Sequence, residues 1–106
     1  MSENKDILLK MLADEPKLYD ILKSKEHLLV LETLEKEDLN YQTLKTRLGK
    51  DIYIKKDIIL YNILDTLISG GLIKKIKVNE NIVYYLSEKG KNFVRIYKDT
   101  KKEFNI

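Results

Sequence analysis

The stretch Leu64-Asp65-Thr66-Leu67-Ile68-Ser69-Gly70-Gly71-Leu72-Ile73-Lys74-Lys75-Ile76-Lys77-Val78-Asn79-Glu80-Asn81-Ile82-Val83-Tyr84-Tyr85-Leu86-Ser87-Glu88-Lys89-Gly90 decides the fold of this 106-residue chain. Leu64, Leu67 and Ile68 recur at helical spacing up to Gly70-Gly71, a pair that reads as a helix C-cap. Beyond it Ile76 and Val78, then Ile82, Tyr84 and Leu86, alternate at strand spacing about the polar turn Asn79-Glu80-Asn81. The pattern predicts an antiparallel hairpin over residues 72 to 87, flanked by helices. Within it Lys75 and Lys77 share a face opposite Ile76, and Tyr84 and Tyr85 point to opposite faces, one of them into the core.

Upstream of that stretch the chain reads as a series of short helices. Ile7, Leu8, Met11 and Leu12 form an amphipathic stripe after Ser2, and Asp14-Glu15-Pro16 breaks it. Pro16 suits the first turn of a second helix carrying Leu18, Tyr19, Ile21 and Leu22, because its missing N–H is not needed there. Ser24 is the cap of a third, striped by Leu28, Leu31 and Leu34. After the extended link Asp38-Leu39, Asn40 caps a helix from Tyr41 to Leu48, with Leu44 and Leu48 inward and Gly49 as its stop. Residues 51–57 read either as a long turn or as the first turns of the next helix, whose firm section is Ile58 to Ser69. From Ser87 onward, Phe93, Val94, Tyr97 and Phe104 share one side of a last helix. Five or six helices and one hairpin make the class α+β, mostly α.

This order, with Asn40-Tyr41-Gln42-Thr43-Leu44 opening one helix, Gly71-Leu72-Ile73 turning into the hairpin and Tyr85-Leu86-Ser87-Glu88-Lys89-Gly90 leaving it, resembles a known arrangement. It is similar to the winged helix-turn-helix of small prokaryotic transcriptional regulators, the ArsR, MarR and PadR-like group, in an archaeal or archaeal-virus form, over about residues 24 to 98. The resemblance implies an N-terminal helical extension over 1–23 and a winged-helix domain over 24–106 that ends in a dimerisation helix. It also implies a homodimer that binds double-stranded DNA and regulates transcription, with the third helix of the motif in the major groove and the hairpin, or wing, on phosphates. Carried onto this sequence, the expected DNA contacts are Gln42, Lys45, Lys55, Lys56, Asn62, Lys74, Lys75, Lys77, Asn79 and Asn81. The expected dimer contacts are Leu8, Met11, Leu12, Phe93, Tyr97 and Phe104, the aromatic stripe being more than a small monomer readily buries.

The chain departs from the family at Asn62 and Ile63, where polar readers are usual, and at Ile58 and Ile59, near a helix start that is normally rich in Ser and Thr. Such a face contacts thymine methyls but offers few hydrogen bonds. Two other readings stand beside it: Ile58, Ile59 and Ile63 as core residues under the N-terminal helices, or as the docking site of an interaction module that binds a protein partner and not DNA.

Composition narrows the classes. With 43% apolar residues and one proline, the chain is long enough for one core and too short for two ordinary domains. No apolar run approaches the ~20 residues that span a bilayer, and the N-terminus has no signal-peptide pattern, so a soluble, cytoplasmic protein without membrane contact is expected. The absence of cysteine excludes disulfides and thiolate zinc sites. A net charge of +3 divides into −4 over residues 1 to 43 and +7 over residues 44 to 106. A basic half that holds the helix-turn-helix and hairpin suits a polyanion, because neutralised phosphates release counterions. An ordinary solvated lysine surface has the same composition.

No enzyme chemistry assembles. His27, the one histidine, falls in the first turn of a helix, a capping or surface position. Glu32, Glu35, Glu37 and Asp38 spread around a helix end without converging on a cation, and Gly70-Gly71 lacks the pattern of a phosphate loop. Neither a metal nor a cofactor is expected.

Overall fold

Three of the helices start where the sequence supplies a side-chain acceptor for the free N–H groups of a first turn. A computed structural model describes residues 2–49, 54 and 56–103. It contains α1 (Ser2–Asp14), α2 (Pro16–Lys23), α3 (Lys25–Lys36), β1 (Leu39–Asn40), α4 (Tyr41–Arg47), α5 (Asp57–Ser69), β2 (Ile73–Val78), β3 (Asn81–Leu86) and α6 (Glu88–Glu103). Ser24 Oγ accepts the His27 N–H at the start of α3, Asn40 Oδ1 accepts the Thr43 N–H at 2.8 Å at the start of α4, and Ser87 Oγ accepts the Gly90 N–H at 3.0 Å at the start of α6. Of the uncertain segment, 51–53 and Lys55 lie outside the described residues. α5 begins only at Asp57, with Lys56 in extended conformation before it.

Gly70-Gly71 ends α5 in a Schellman motif: the Leu72 N–H reaches the Leu67 carbonyl (3.0 Å), and the N–H of Gly71, at φ +76°, reaches Ile68 (2.9 Å). Leu67 and Leu72, the apolar pair that accompanies this cap, are both fully buried. The hairpin then runs in register from Ile73 opposite Leu86 to Val78 opposite Asn81. β1 adds antiparallel to β3, Leu39 beside Tyr84, so the sheet order is β1-β3-β2.

The core gathers Val30, Leu31 and Leu34 of α3, Leu44, Leu60, Leu64 and Leu67 of the helix pair, Tyr84 and Leu86 of β3, and Phe93, Val94 and Ile96 of α6. Leu8, Leu18 and Ile21 from the first two helices enter the same cluster, and α1 lies along α6. A helix-turn-helix followed by a two-stranded wing, with added helices at both ends, makes this a winged helix-turn-helix fold. No described helix is long and apolar enough to cross a membrane.

Two of the expected apolar faces are only partly covered. Ile76 is 52% exposed, and Val78 and Ile82 are also open to solvent. By the cross-strand register Ile76 and Val78 lie on the sheet face turned away from buried Ile73, Tyr84 and Leu86, while Ile82, on the same face as those three, sits next to the turn where burial has ended. On α1, Leu8 is buried while Ile7 and Leu9 are exposed.

The wing turn carries a conformational cost. Asn79 (φ 48°) and Glu80 (φ 74°) both take positive φ, as a two-residue type I′ turn requires. Asparagine tolerates this region, but glutamate does so at about 1 kcal/mol or more. Glu80→Gly removes that strain and gives back part of the gain as unfolded-chain entropy, so a net stabilisation of about 0.5 kcal/mol is expected in urea denaturation. A destabilised variant would contradict the turn assignment.

His27 is a second local device. Its ring Nδ1 lies 2.6 Å from Ser24 Oγ, and burial lowers its pKa below 6.5 against the opposing charge of Glu26. The unfolded chain therefore takes up the proton first as pH falls. The stability contribution is complete above the unfolded pKa and lost as pH drops through the folded one. Between about pH 7.5 and about pH 5 the wild type should lose more stability than His27→Gln, and parallel pH dependence in urea titrations would refute this.

Candidate nucleic-acid interface

The helix-turn-helix is locked by a cluster that the sequence reading did not single out. Tyr41, in the first turn of α4, stacks on Tyr61 of α5 with ring centroids 4.3 Å apart and planes 3° from parallel. The Tyr41 hydroxyl donates to Asp57 Oδ1 at 2.6 Å, and Lys45 Nζ donates to the same oxygen at 2.7 Å. These two donors hold the Asp57 carboxyl below its ordinary pKa, so it stays ionised. Burial, followed by the bond to Asp57, pushes the Tyr41 phenol above its usual value. The available signal was a pair of i, i+4 spacings, Tyr41 with Lys45 and Asp57 with Tyr61, on consecutive helices. Nothing in one dimension says that the two pairs face each other.

The expected DNA contacts separate accordingly. Gln42, Lys56 and Asn62 are exposed, whereas Lys45 is half-buried and bound to Asp57. Lys55 lies outside the described residues. Lys74, Lys75 and Lys77 are all exposed on β2, and Asn79 and Asn81 are exposed at the tip. By the cross-strand register, Lys75 and Lys77 share the face of Ile73, Tyr84 and Leu86, while Lys74 shares the opposite face with Ile76 and Val78. Tyr84 is buried in the same core cluster as Leu60, Leu64 and Leu67 of α5, and that burial raises its phenol above its ordinary pKa. Lys75, opposite Tyr84, and Lys77 therefore project on the α5 side of the sheet.

Several cations elsewhere are joined to carboxylates within the chain. Arg47 meets Glu37 and Lys98 meets Glu35, both at 2.7 Å, and Lys89 meets Glu15. The acidic neighbours at the end of α3 thus act as struts to α4 and α6. Among the described residues, no group of three His, Cys, Asp or Glu side chains converges as for a metal ion.

The three isoleucines have three different fates. Ile63 is buried in the core, Ile59 is half-buried against it, and Ile58 is 70% exposed. The face drawn as one apolar patch is therefore only Ile58 and the edge of Ile59, because positions 58 and 63 lie on different sides of the helix. The expected dimer set changes in the same way. Phe93 is 0% exposed, and Leu8 is buried beside it in the monomer's own core, so neither is available to a partner. Met11, Leu12 and Tyr97 are half-buried, and Phe104 lies outside the described residues. A stripe on α6 was expected to await a second chain, but α1 and α3 of the same chain cover most of it.

No family model matches the chain, and no curated protein matches it in sequence. Its fold is nevertheless that of solved regulators. The chain is similar to a PadR family transcription regulator from Clostridium difficile, with a TM-score of 0.68 and 24% identity over 77% of this chain and 92% of that one. It is similar to the transcriptional regulator HlyU from Vibrio vulnificus, with a TM-score of 0.67 and 20% identity over 92% and 97% of the two chains. A homodimeric winged helix-turn-helix DNA-binding domain from Mycobacterium bovis, a possible ArsR-family regulator, gives a TM-score of 0.67 and 18% identity over 99% and 88%.

Proposed function

We propose that this chain is a DNA-binding transcriptional regulator that acts as a homodimer, with the wing on phosphates and the outer face of α5 toward the major groove. The observation that carries the reading is the distribution of cations without partners. The wing lysines Lys74, Lys75 and Lys77, and Lys56 before α5, have no carboxylate partner among the described residues and cluster beside the helix-turn-helix, whereas Lys45, Arg47, Lys89 and Lys98 are neutralised within the chain and other unpaired cations, Lys10, Lys25, Lys36 and Arg95, are scattered over α1, α3 and α6. Three unneutralised cations on a hairpin beside a helix-turn-helix form a phosphate-binding edge. The reading of the chain as a DNA-binding protein is supported by its likeness in fold to a homodimeric winged helix-turn-helix DNA-binding domain.

For the dimer, the support is a groove between α1 and α6, bordered by Leu9, Leu12, Leu22, Leu28 and Tyr97, with a volume of about 490 Å3. Leu9 is 54% exposed at its rim, and a second copy would cover it. Light scattering at rising protein concentration should approach twice the chain mass. A monomer throughout would remove the dimer from this reading.

Fluorescence anisotropy of a labelled duplex, measured at about 50 and about 200 mM salt, tests the DNA reading itself. Phosphate-dominated binding weakens steeply over that interval, whereas apolar docking does not. Absence of duplex binding at the lower salt would overturn it.

A further inference from the structure

The α5 helix, Asp57–Ser69, contains neither lysine nor arginine. Its solvent side presents Asp57, Ile58, Tyr61, Asn62 and Asp65. Guanine is read in the major groove chiefly by Arg or Lys, cytosine by a carboxylate, adenine by Asn or Gln, and thymine by apolar contact with its methyl group. The side chains of the first two turns can be set against that code one by one.

Asp57 is ill suited to cytosine, since its Oδ1 already accepts Lys45 and Tyr41. Asp65 lies eight residues further on, about 12 Å along the helix from the end that enters a groove. Ile58, Tyr61 and Asn62 remain, at spacings of three and four, and form one contiguous patch on the outer face. Ile58 is 70% and Tyr61 45% exposed. The Asn62 side-chain amide has no hydrogen-bond partner among the described residues and so offers both its donor and its acceptor. Tyr61 is held in place by its stack on Tyr41, so the patch is rigid before any ligand arrives.

Resting on the reading of α5 as the groove-facing helix, we propose that this protein selects A·T base pairs in the major groove: Ile58 and Tyr61 lie against thymine methyls, and Asn62 takes the N6 and N7 edge of adenine. The cations of Lys56 and the wing supply affinity but no base choice.

The test is selection of the full-length chain on duplexes with a randomised centre, followed by affinities for the enriched site and its single-base variants at fixed salt. The expected consensus is A·T-rich beneath α5. Asn62→Ala should cost about tenfold in preference for adenine at one position. Ile58→Ala should cost about fourfold in preference for thymine over cytosine, the value of one buried methyl group. Lys56→Ala should weaken all sites alike and leave the consensus intact. Both α5 variants alter exposed side chains, and circular dichroism confirms their fold. Salt-dependent binding with no base preference, or with guanine fixed beneath α5, overturns this inference and leaves the DNA reading standing. Binding to no duplex overturns both.

Discussion

Gly90→Ala is expected to melt roughly 10 to 20 °C below the wild type, a loss of about 3 kcal/mol. A β-carbon at this position would stand 1.9 Å from the Leu72 carbonyl oxygen and 2.9 Å from its carbon, both backbone atoms that cannot swing aside. The first turn of α6 is fastened to that same backbone. The Ser87 N–H donates to the Leu72 carbonyl at 3.0 Å, and the Ser87 hydroxyl donates to the Gly71 carbonyl. Relief of the clash means lifting α6 away, which breaks these bonds and withdraws Phe93 and Val94 from the core. Alanine's better helix propensity, about 1 kcal/mol, opposes this and is the smaller effect. Thermal denaturation at matched protein concentration decides the matter, with Asn92→Ala, at an exposed position of the same helix, as control. A Gly90→Ala protein that melts at or above the wild type would show that α6 does not rest on Leu72.

The triple variant Lys74→Ala, Lys75→Ala, Lys77→Ala is expected to flatten the salt dependence of duplex binding while leaving the melting temperature unchanged. If each lysine meets one phosphate, the slope of log affinity against log salt becomes shallower by about 2.7 per protomer engaged. For a dimer using six such contacts, the wild type loses about 10³ in affinity between about 50 and 200 mM salt, and the variant forfeits that steep section. All three side chains are exposed, so folding is not at issue. Equal slopes and equal affinities in wild type and variant would show that the wing does not hold DNA.

The local grammar of this fold was legible in the sequence. Ser24 and Asn40 cap their helices where they were expected to, and Ser87 caps the helix that begins after it, because a short polar side chain before an apolar stripe satisfies N–H groups only a few residues away. Gly70-Gly71 ends α5, and the hairpin turns at Asn79-Glu80, for the same reason: positive φ and strand alternation are properties of neighbouring residues. Leu44, Leu48, Leu64 and Leu67 are buried as their spacing required.

Tertiary structure decided everything that depends on which faces meet. Phe93 looked like a surface for a second chain until packing within its own chain left it no exposure. Ile58 and Ile63 looked equivalent, and they lie on opposite sides of a boundary set by where the rest of the core happens to reach. The hairpin's alternation announced two strands but not which face of each meets the core: Ile76 and Val78 lie on the outer face, and Lys75 and Lys77 on the side of Tyr84 and Leu86. The lock of Tyr41, Lys45, Asp57 and Tyr61 joins two helices across a segment whose path no spacing rule specifies, and the need for glycine at position 90 comes from a backbone carbonyl eighteen residues earlier in the chain. The sequence determined each element by itself, because hydrogen bonding and periodicity act over a few residues. Burial, pairing and free charge were determined only by the folded chain, because they depend on neighbours that are close in space and remote in sequence.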